Sequence, residues 1–308
     1  MRRPKALCPG DRIGVVAPAS PFDRPTFERG LAELTSLGFE PVFDETVFAR
    51  RNYVAGSTAV RAAALEAVWR DPSIAGVMAA RGGYGSAQVL PFLSAMSDAA
   101  PKVFIGCSDL TALLTHLAIE RRVVCFHGPM VITLGRGADA YDRRTLLESV
   151  TRDEPLGELR PDGLETIRPG EARGPLLGGT LTQIVSSLGT PFAFDPPAGH
   201  VLLLDDVDER PYRLDRMLTQ ARQAGLFARA SAVVCNGFPG CVEPGTEPLL
   251  DARHVIRDAL TDFPGPVLFG FPTGHTAGQP MWTLPLGIET VVMAGPSPRL
   301  VIEEAAVE

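Results

Sequence analysis

Three residues of this chain have the types and the setting for nucleophilic catalysis. Ser108 closes Ile105-Gly106-Cys107-Ser108, where an apolar strand over Lys102–Ile105 runs straight into a helix that opens Asp109-Leu110-Thr111. A serine at such a corner projects its hydroxyl above the sheet, beside helix N-terminal N–H groups that suit a developing oxyanion. Asp205 follows the apolar run Val201-Leu202-Leu203-Leu204, and His275 follows Val267–Phe271 in a loop rich in Gly and Pro. Serine, carboxylate and histidine thus stand at strand ends, in the chain order of many α/β serine hydrolases, and the pattern predicts a serine hydrolase. Each signal has a plainer reading when taken alone. Ser108 could be a helix cap that Asp109 shares, Asp205-Asp206 a turn, and His275 a loop histidine bonded to backbone.

A glycine loop, Ala80-Arg81-Gly82-Gly83-Tyr84-Gly85, lies between a strand and a helix. Its backbone N–H groups can approach an anion, either a phosphate or the oxyanion of a tetrahedral intermediate. It matches neither the GxGxxG dinucleotide fingerprint nor the P-loop, which needs a closing Lys-Ser/Thr. Arg81 could pair with a substrate carboxylate or clamp the loop. His116, His127, His200 and His254 lack HExxH or any paired spacing, so no metal is expected.

These residues need a sheet to place them. Apolar strands over Ile13–Ala17, Ile74–Ala79, Val103–Ile105 and Val123–Phe126 alternate with helical stretches over Pro25–Leu37, Ser57–Arg70, Ser86–Ser97 and Asp109–Ile119. Such alternation predicts a parallel sheet covered on both faces, with a ligand crevice at the strands' carboxyl ends. Ala19-Ser20, the glycine loop and Ser108 all fall on that edge. Residues 151–174 are rich in acid, Pro and Gly with little periodicity and read as a linker. Beyond it lie strands at 200–205, 231–236, 266–271, 289–293 and 299–303 and helices at 211–224 and 250–261, a mixed α/β pattern. The expected division is an α/β domain over 1–150 bearing the nucleophile, the linker, and a β-rich α/β domain over 175–308 bearing the acid and the histidine.

Composition sets the outer bounds. The 308 residues are 45% apolar and 21% charged, which is ordinary globular material. A net charge of −7 argues against nucleic-acid binding, which needs a basic face. Pro9, Gly10, Asp11 and Arg12 interrupt any apolar region after the basic start, so no export signal is expected, and no apolar run is long enough to span a membrane. The five cysteines form no CxxC pair, and three of them lie in or beside apolar runs, as small buried hydrophobes do. That usage favours a reducing cytoplasm.

The motifs together resemble the LD-carboxypeptidase (muramoyltetrapeptide carboxypeptidase) family of serine peptidases over nearly the whole chain. The segments that carry the resemblance run from Gly10-Asp11-Arg12-Ile13-Gly14-Val15-Val16-Ala17-Pro18-Ala19-Ser20 through the glycine loop and Ile105–Thr111 to His127-Gly128-Pro129-Met130. They continue with Gly178-Gly179-Thr180-Leu181, Pro211–Leu218, Gly274-His275-Thr276 and Leu284-Pro285-Leu286-Gly287. The resemblance implies cleavage between meso-diaminopimelate and the terminal D-Ala of murein tetrapeptides during cytoplasmic cell-wall recycling. It also implies a flavodoxin-like N-terminal half, a homodimer, and neither metal nor organic cofactor. Ser108 maps to the nucleophile, His275 to the base, and the backbone N–H groups of Gly83 and Asp109 to the oxyanion hole. Arg81 and Tyr84 become candidate substrate-binding residues.

Two departures stand out. The family's triad glutamate falls at Asp205, one methylene shorter, so that His275 must sit closer or Glu209 must substitute. The family's Gly-Gly-Asn-Leu reads Gly178-Gly179-Thr180-Leu181, which shifts substrate preference if the asparagine supports the site. Immunity proteins resembling this family cleave an aminoacyl-nucleotide antibiotic with the same triad. An aromatic stacking residue over the site would favour that alternative, and the chain's only tryptophans are Trp69 and Trp282. A non-catalytic protein holding an anion on the glycine loop is the remaining alternative.

Overall fold

The structure is a computed structural model that describes residues 1–96, 100–245 and 250–308. In the first half, β1 (Arg12–Val16), β2 (Glu40–Val42), β3 (Ile74–Ala79), β4 (Val103–Gly106) and β5 (Cys125–His127) pair in parallel in the order β5-β4-β3-β1-β2. This is the flavodoxin-like order, which opens a crevice above the point between β1 and β3 where the winding reverses. The strands carry near-continuous apolar runs because helices cover both faces. One covering helix, Arg24–Ser36, is capped by the Asp23 carboxylate, which accepts from Thr26 N at 2.9 Å. It buries Phe27, Gly30 and Leu34, the spacing of one helical face.

The second half adds β6 (Gly157–Leu159), β7 (Glu165–Arg168), β8 (Gly170–Thr180), β9 (His200–Asp205), β10 (Ala230–Cys235), β11 (Val242–Glu243), β12 (Leu250–Asp251), β13 (Val267–Phe269), β14 (Leu284–Leu286), β15 (Glu289–Ala294) and β16 (Arg299–Ile302). Eight of them form a mixed sheet in the order β6-β16-β15-β8-β9-β10-β13-β7. The central β8-β9-β10-β13 are parallel and the flanking pairs antiparallel. Leu202 and Leu203 of β9 are wholly buried, each worth about 1.5–3 kcal/mol of apolar burial. β14 returns to the first sheet and pairs antiparallel with β5, which fastens the two sheets together. Its Pro285 is accommodated because the strand lies at the sheet's edge.

Several expectations need correction. Residues 151–174 are not a linker: they supply β6, β7 and the start of β8. β6 and β7 are short strands at the two edges of the mixed sheet, too short for alternation to show, and Gly and Pro separate them. The helix expected over 86–97 is wound as 3₁₀ turns over Ser86–Met96, with Pro91, which lacks an N–H donor, inside it. Ser97 lies outside the described residues. The helix expected over Asp109–Ile119 is 3₁₀ over Ser108–Leu110, α over Thr111–Thr115 and π over His116–Glu120. Cys107, Cys125, Cys235 and Cys241 are buried free thiols, and Cys8 is exposed. Among the described residues no helix is long and apolar enough to cross a membrane.

Candidate active site

The carboxyl ends of both sheets converge on Ser108. Ser108 follows β4 with φ +62°, a left-handed backbone that a non-glycine residue adopts only when its surroundings enforce it. The turn lifts the side chain off the sheet, and His275 Nε2 lies 3.0 Å from Ser108 Oγ. On the other side of the ring, His275 Nδ1 lies 2.6 Å from Asp205 Oδ2, and the His275 N–H donates to the same oxygen at 3.2 Å. Asp205 is wholly buried at the end of β9. Burial pushes its carboxyl up, but the imidazoles of His127 and His275 outweigh that and hold it well below the usual carboxylate range. Burial likewise pulls His275 down, while its bond to Asp205 and the charge of Asp205 more than compensate, and the net shift is upward.

The short Asp205 side chain is met by a close approach of the histidine loop. Gly274, at φ +67°, carries the histidine loop so close that a Cβ there would stand 2.3 Å from Asp205 Oδ2. The hydroxyl of Thr180 donates to Asp205 Oδ1 at 2.9 Å, because Thr180 and Asp205 are partners in the β8–β9 register. His127 Nε2 faces the same oxygen at 3.6 Å. Asn236, wholly buried at the end of β10, donates to His275 O at 2.8 Å and so ties the histidine loop to the sheet. Glu209 turns away and pairs with Arg213 Nη1 at 3.5 Å.

The glycine loop forms the opposite wall. Among the described residues no acceptor takes the backbone N–H of Gly83 or Asp109. Asp109 is held beside the serine by a buried network. The Asp109 carboxylate accepts from Ser86 N at 2.7 Å, and the buried Arg61 donates to Gly85 O at 2.6 Å and Pro18 O at 2.7 Å. Arg81 donates to Pro21 O at 2.7 Å and also lines the cavity, so it clamps the loop. Tyr84 is exposed beside Tyr53, ring centroids 5.4 Å apart, and is not a wall of the cavity. Cys107 is no rival nucleophile, since burial and then Asp205 raise its thiol far above the ordinary value.

The resulting cavity has a volume of about 670 Å³ and holds Ser108, His275 and Gly83 on its walls, with no Phe, Tyr or Trp among the described residues that line it. Such a constellation can take a proton from a hydroxyl, attack a carbonyl and stabilise an oxyanion. Sequence reasoning missed His127, Thr180 as a partner of Asp205, Asn236 and Arg61. The His127-Gly128-Pro129-Met130 segment was the one available signal for His127.

Two expected outcomes arise from this geometry. Gly83 has φ +101°, and a Cβ there would meet Ser20 Oγ at 2.6 Å. Gly83→Ala should therefore displace the donor and lower kcat by about 10²–10³-fold, a value to be read in steady-state kinetics, with KM little changed. The activity should also rise with pH, because only neutral His275 accepts the serine proton. With His275 raised, the midpoint of kcat/KM falls above the ordinary histidine value of about 6.5. A midpoint below that value in a pH profile would contradict the assignment.

Comparison with known proteins assigns both halves of the chain to one family. Residues 13–128 match the family model described as the LD-carboxypeptidase N-terminal domain, and residues 173–292 match the LD-carboxypeptidase C-terminal domain. A probable murein peptide carboxypeptidase of Bacillus subtilis is 34% identical over 94% of this chain and 91% of its own length. The murein tetrapeptide carboxypeptidase of Pseudomonas aeruginosa is 31% identical over 92% of this chain and 93% of its own. The solved structure of the wild-type microcin C7 self-immunity protein MccF superposes with a TM-score of 0.90 at 24% identity, covering 100% of both chains, and shows that the fold is shared.

Proposed function

The chain belongs to the LD-carboxypeptidase family, and from that premise we propose that it is a serine carboxypeptidase acting on murein tetrapeptide. The substrate is L-Ala-γ-D-Glu-meso-diaminopimelate-D-Ala, from which the terminal D-Ala is released. The reading rests above all on one observation: the His275 ring spans Ser108 Oγ at 3.0 Å and the buried Asp205 carboxylate at 2.6 Å. His275 takes the proton of Ser108 as the oxygen attacks the carbonyl at the L-centre of diaminopimelate. Asp205 keeps the proton of the ring on Nδ1 and stabilises the imidazolium that forms. The N–H groups of Gly83 and Asp109 hold the oxyanion, each contributing about 3–4 kcal/mol in comparable hydrolases. His275 then gives its proton to the departing amine, and water releases the tripeptide from Ser108 by the reverse route.

The same proposal places the enzyme in the cytoplasm, as a homodimer, in peptidoglycan recycling. The fold shared with the self-immunity protein MccF fits the aminoacyl-nucleotide alternative, whereas the relatives named murein peptide carboxypeptidases favour the tetrapeptide. The test is bond selectivity. Purified protein should release D-Ala from the tetrapeptide, whose last bond joins an L- to a D-centre. It should leave intact the pentapeptide ending in D-Ala-D-Ala. Cleavage of the pentapeptide alone, or of neither peptide by folded protein, would overturn the proposal.

A further inference from the structure

A carboxypeptidase must distinguish a chain end from an internal bond, and a free terminal carboxylate is the group that marks the end. Two cations, Arg81 and Arg136, line the cavity that holds Ser108. Arg81 follows β3, and Arg136 follows the short helix Val131–Leu134 after β5, whose Ile132 N donates to Ala80 O at 3.1 Å. The side that receives the leaving residue is set by chemistry, because the leaving amine takes its proton from His275 and must lie against that ring.

The segment that carries Arg136 also reaches the segment that follows His275. Residues 136–142 are stitched to the segment that follows His275: Met281 N donates to Ala140 O at 3.2 Å, and Asp142 N donates to Met281 O at 2.8 Å. Gln279 and Met281 of that segment line the same cavity. Arg81 already gives Nη1 to Pro21 O at 2.7 Å. The Arg136 guanidinium is exposed at the cavity and makes no hydrogen bond or ion pair to any other described residue. Its charge nevertheless reaches Cys107, the neighbour of Ser108. Asp139 is the one anionic side chain lining this cavity among the described residues.

We propose that Arg136 receives the free terminal carboxylate of the residue that leaves, and so makes the enzyme an exopeptidase. This rests on the carboxypeptidase reading above. The guanidinium presents a planar fork that matches a carboxylate through two parallel N–H bonds. The carboxylate is present in substrate and transition state alike, so the contact acts on binding and leaves the chemical step alone.

The experiment compares the tetrapeptide with its C-terminal carboxamide for wild type, Arg136→Gln and Arg81→Gln. Wild type should favour the acid by about 10–100-fold in kcat/KM, the range of one charge-assisted contact. In R136Q that preference should collapse to within about threefold, through a higher KM for the acid with kcat little changed. In R81Q the preference should persist. Retention of the full preference in R136Q, its loss in R81Q, or equal cleavage of acid and amide by wild type would overturn the assignment while leaving the activity standing. Failure of wild type to cleave either peptide would instead strike the carboxypeptidase reading, and this inference with it.

Discussion

Ser108→Ala is expected to lower kcat by about six orders of magnitude, the loss seen when the nucleophile of a serine hydrolase is removed alone. No neighbour can take over. The Cys107 thiol is buried and held protonated, and the Thr111 hydroxyl accepts the Thr180 N–H at 3.0 Å. The walls that bind the peptide are untouched, so calorimetric affinity for the tetrapeptide should stay within a few-fold of wild type. A residual rate of about 10³–10⁴ over water should survive, since the oxyanion donors and the bound pose remain. A variant that keeps more than a hundredth of wild-type kcat would remove Ser108 from the nucleophile's role.

Asp205→Asn comes next, with an expected loss of about 10⁴ in kcat, because the shape is kept while the tautomer is reversed. The asparagine amide would face His275 Nδ1 as a donor, where the carboxylate accepts at 2.6 Å. The ring would then carry its proton on Nε2, the atom 3.0 Å from Ser108 Oγ, and could not accept the serine proton. Loss of the charge should also move the acid limb of the pH profile downward, since Asp205 is what holds His275 above its ordinary value. Glu209→Gln is the control. Glu209 is engaged with Arg213 Nη1, so this variant should keep near-wild-type activity and an unshifted limb. The reverse pattern, with Glu209 essential and Asp205 dispensable, would reassign the acid.

The reach of the sequence followed from where physical signals are local. β3, β9 and β10 are continuous apolar runs and could be placed nearly to the residue. Ser108, Asp205 and His275 could be singled out because each ends or follows such a run, at the edge where parallel sheets bind ligands. What failed had no local signature. Pro91 turned an apolar stretch into 3₁₀ winding, and β6 and β7 are edge strands of three and four residues. Choosing Asp205 over Glu209 needed the packing of Gly274 against the carboxylate, which is a contact across 69 residues of chain. Thr180, Asn236 and Arg61 are polar groups whose roles appear only once their buried partners are in place. Tyr84, a candidate substrate contact from its place in the glycine loop, lies with its ring beside that of Tyr53.

The account stands most directly on a mass spectrum of L-Ala-γ-D-Glu-meso-diaminopimelate-D-Ala after incubation with the wild-type protein and, separately, with Ser108→Ala. Loss of a single alanine with wild type alone is the predicted result, and it would establish reaction and nucleophile together. Loss of alanine with both proteins, or with neither although both are folded, would contradict the account.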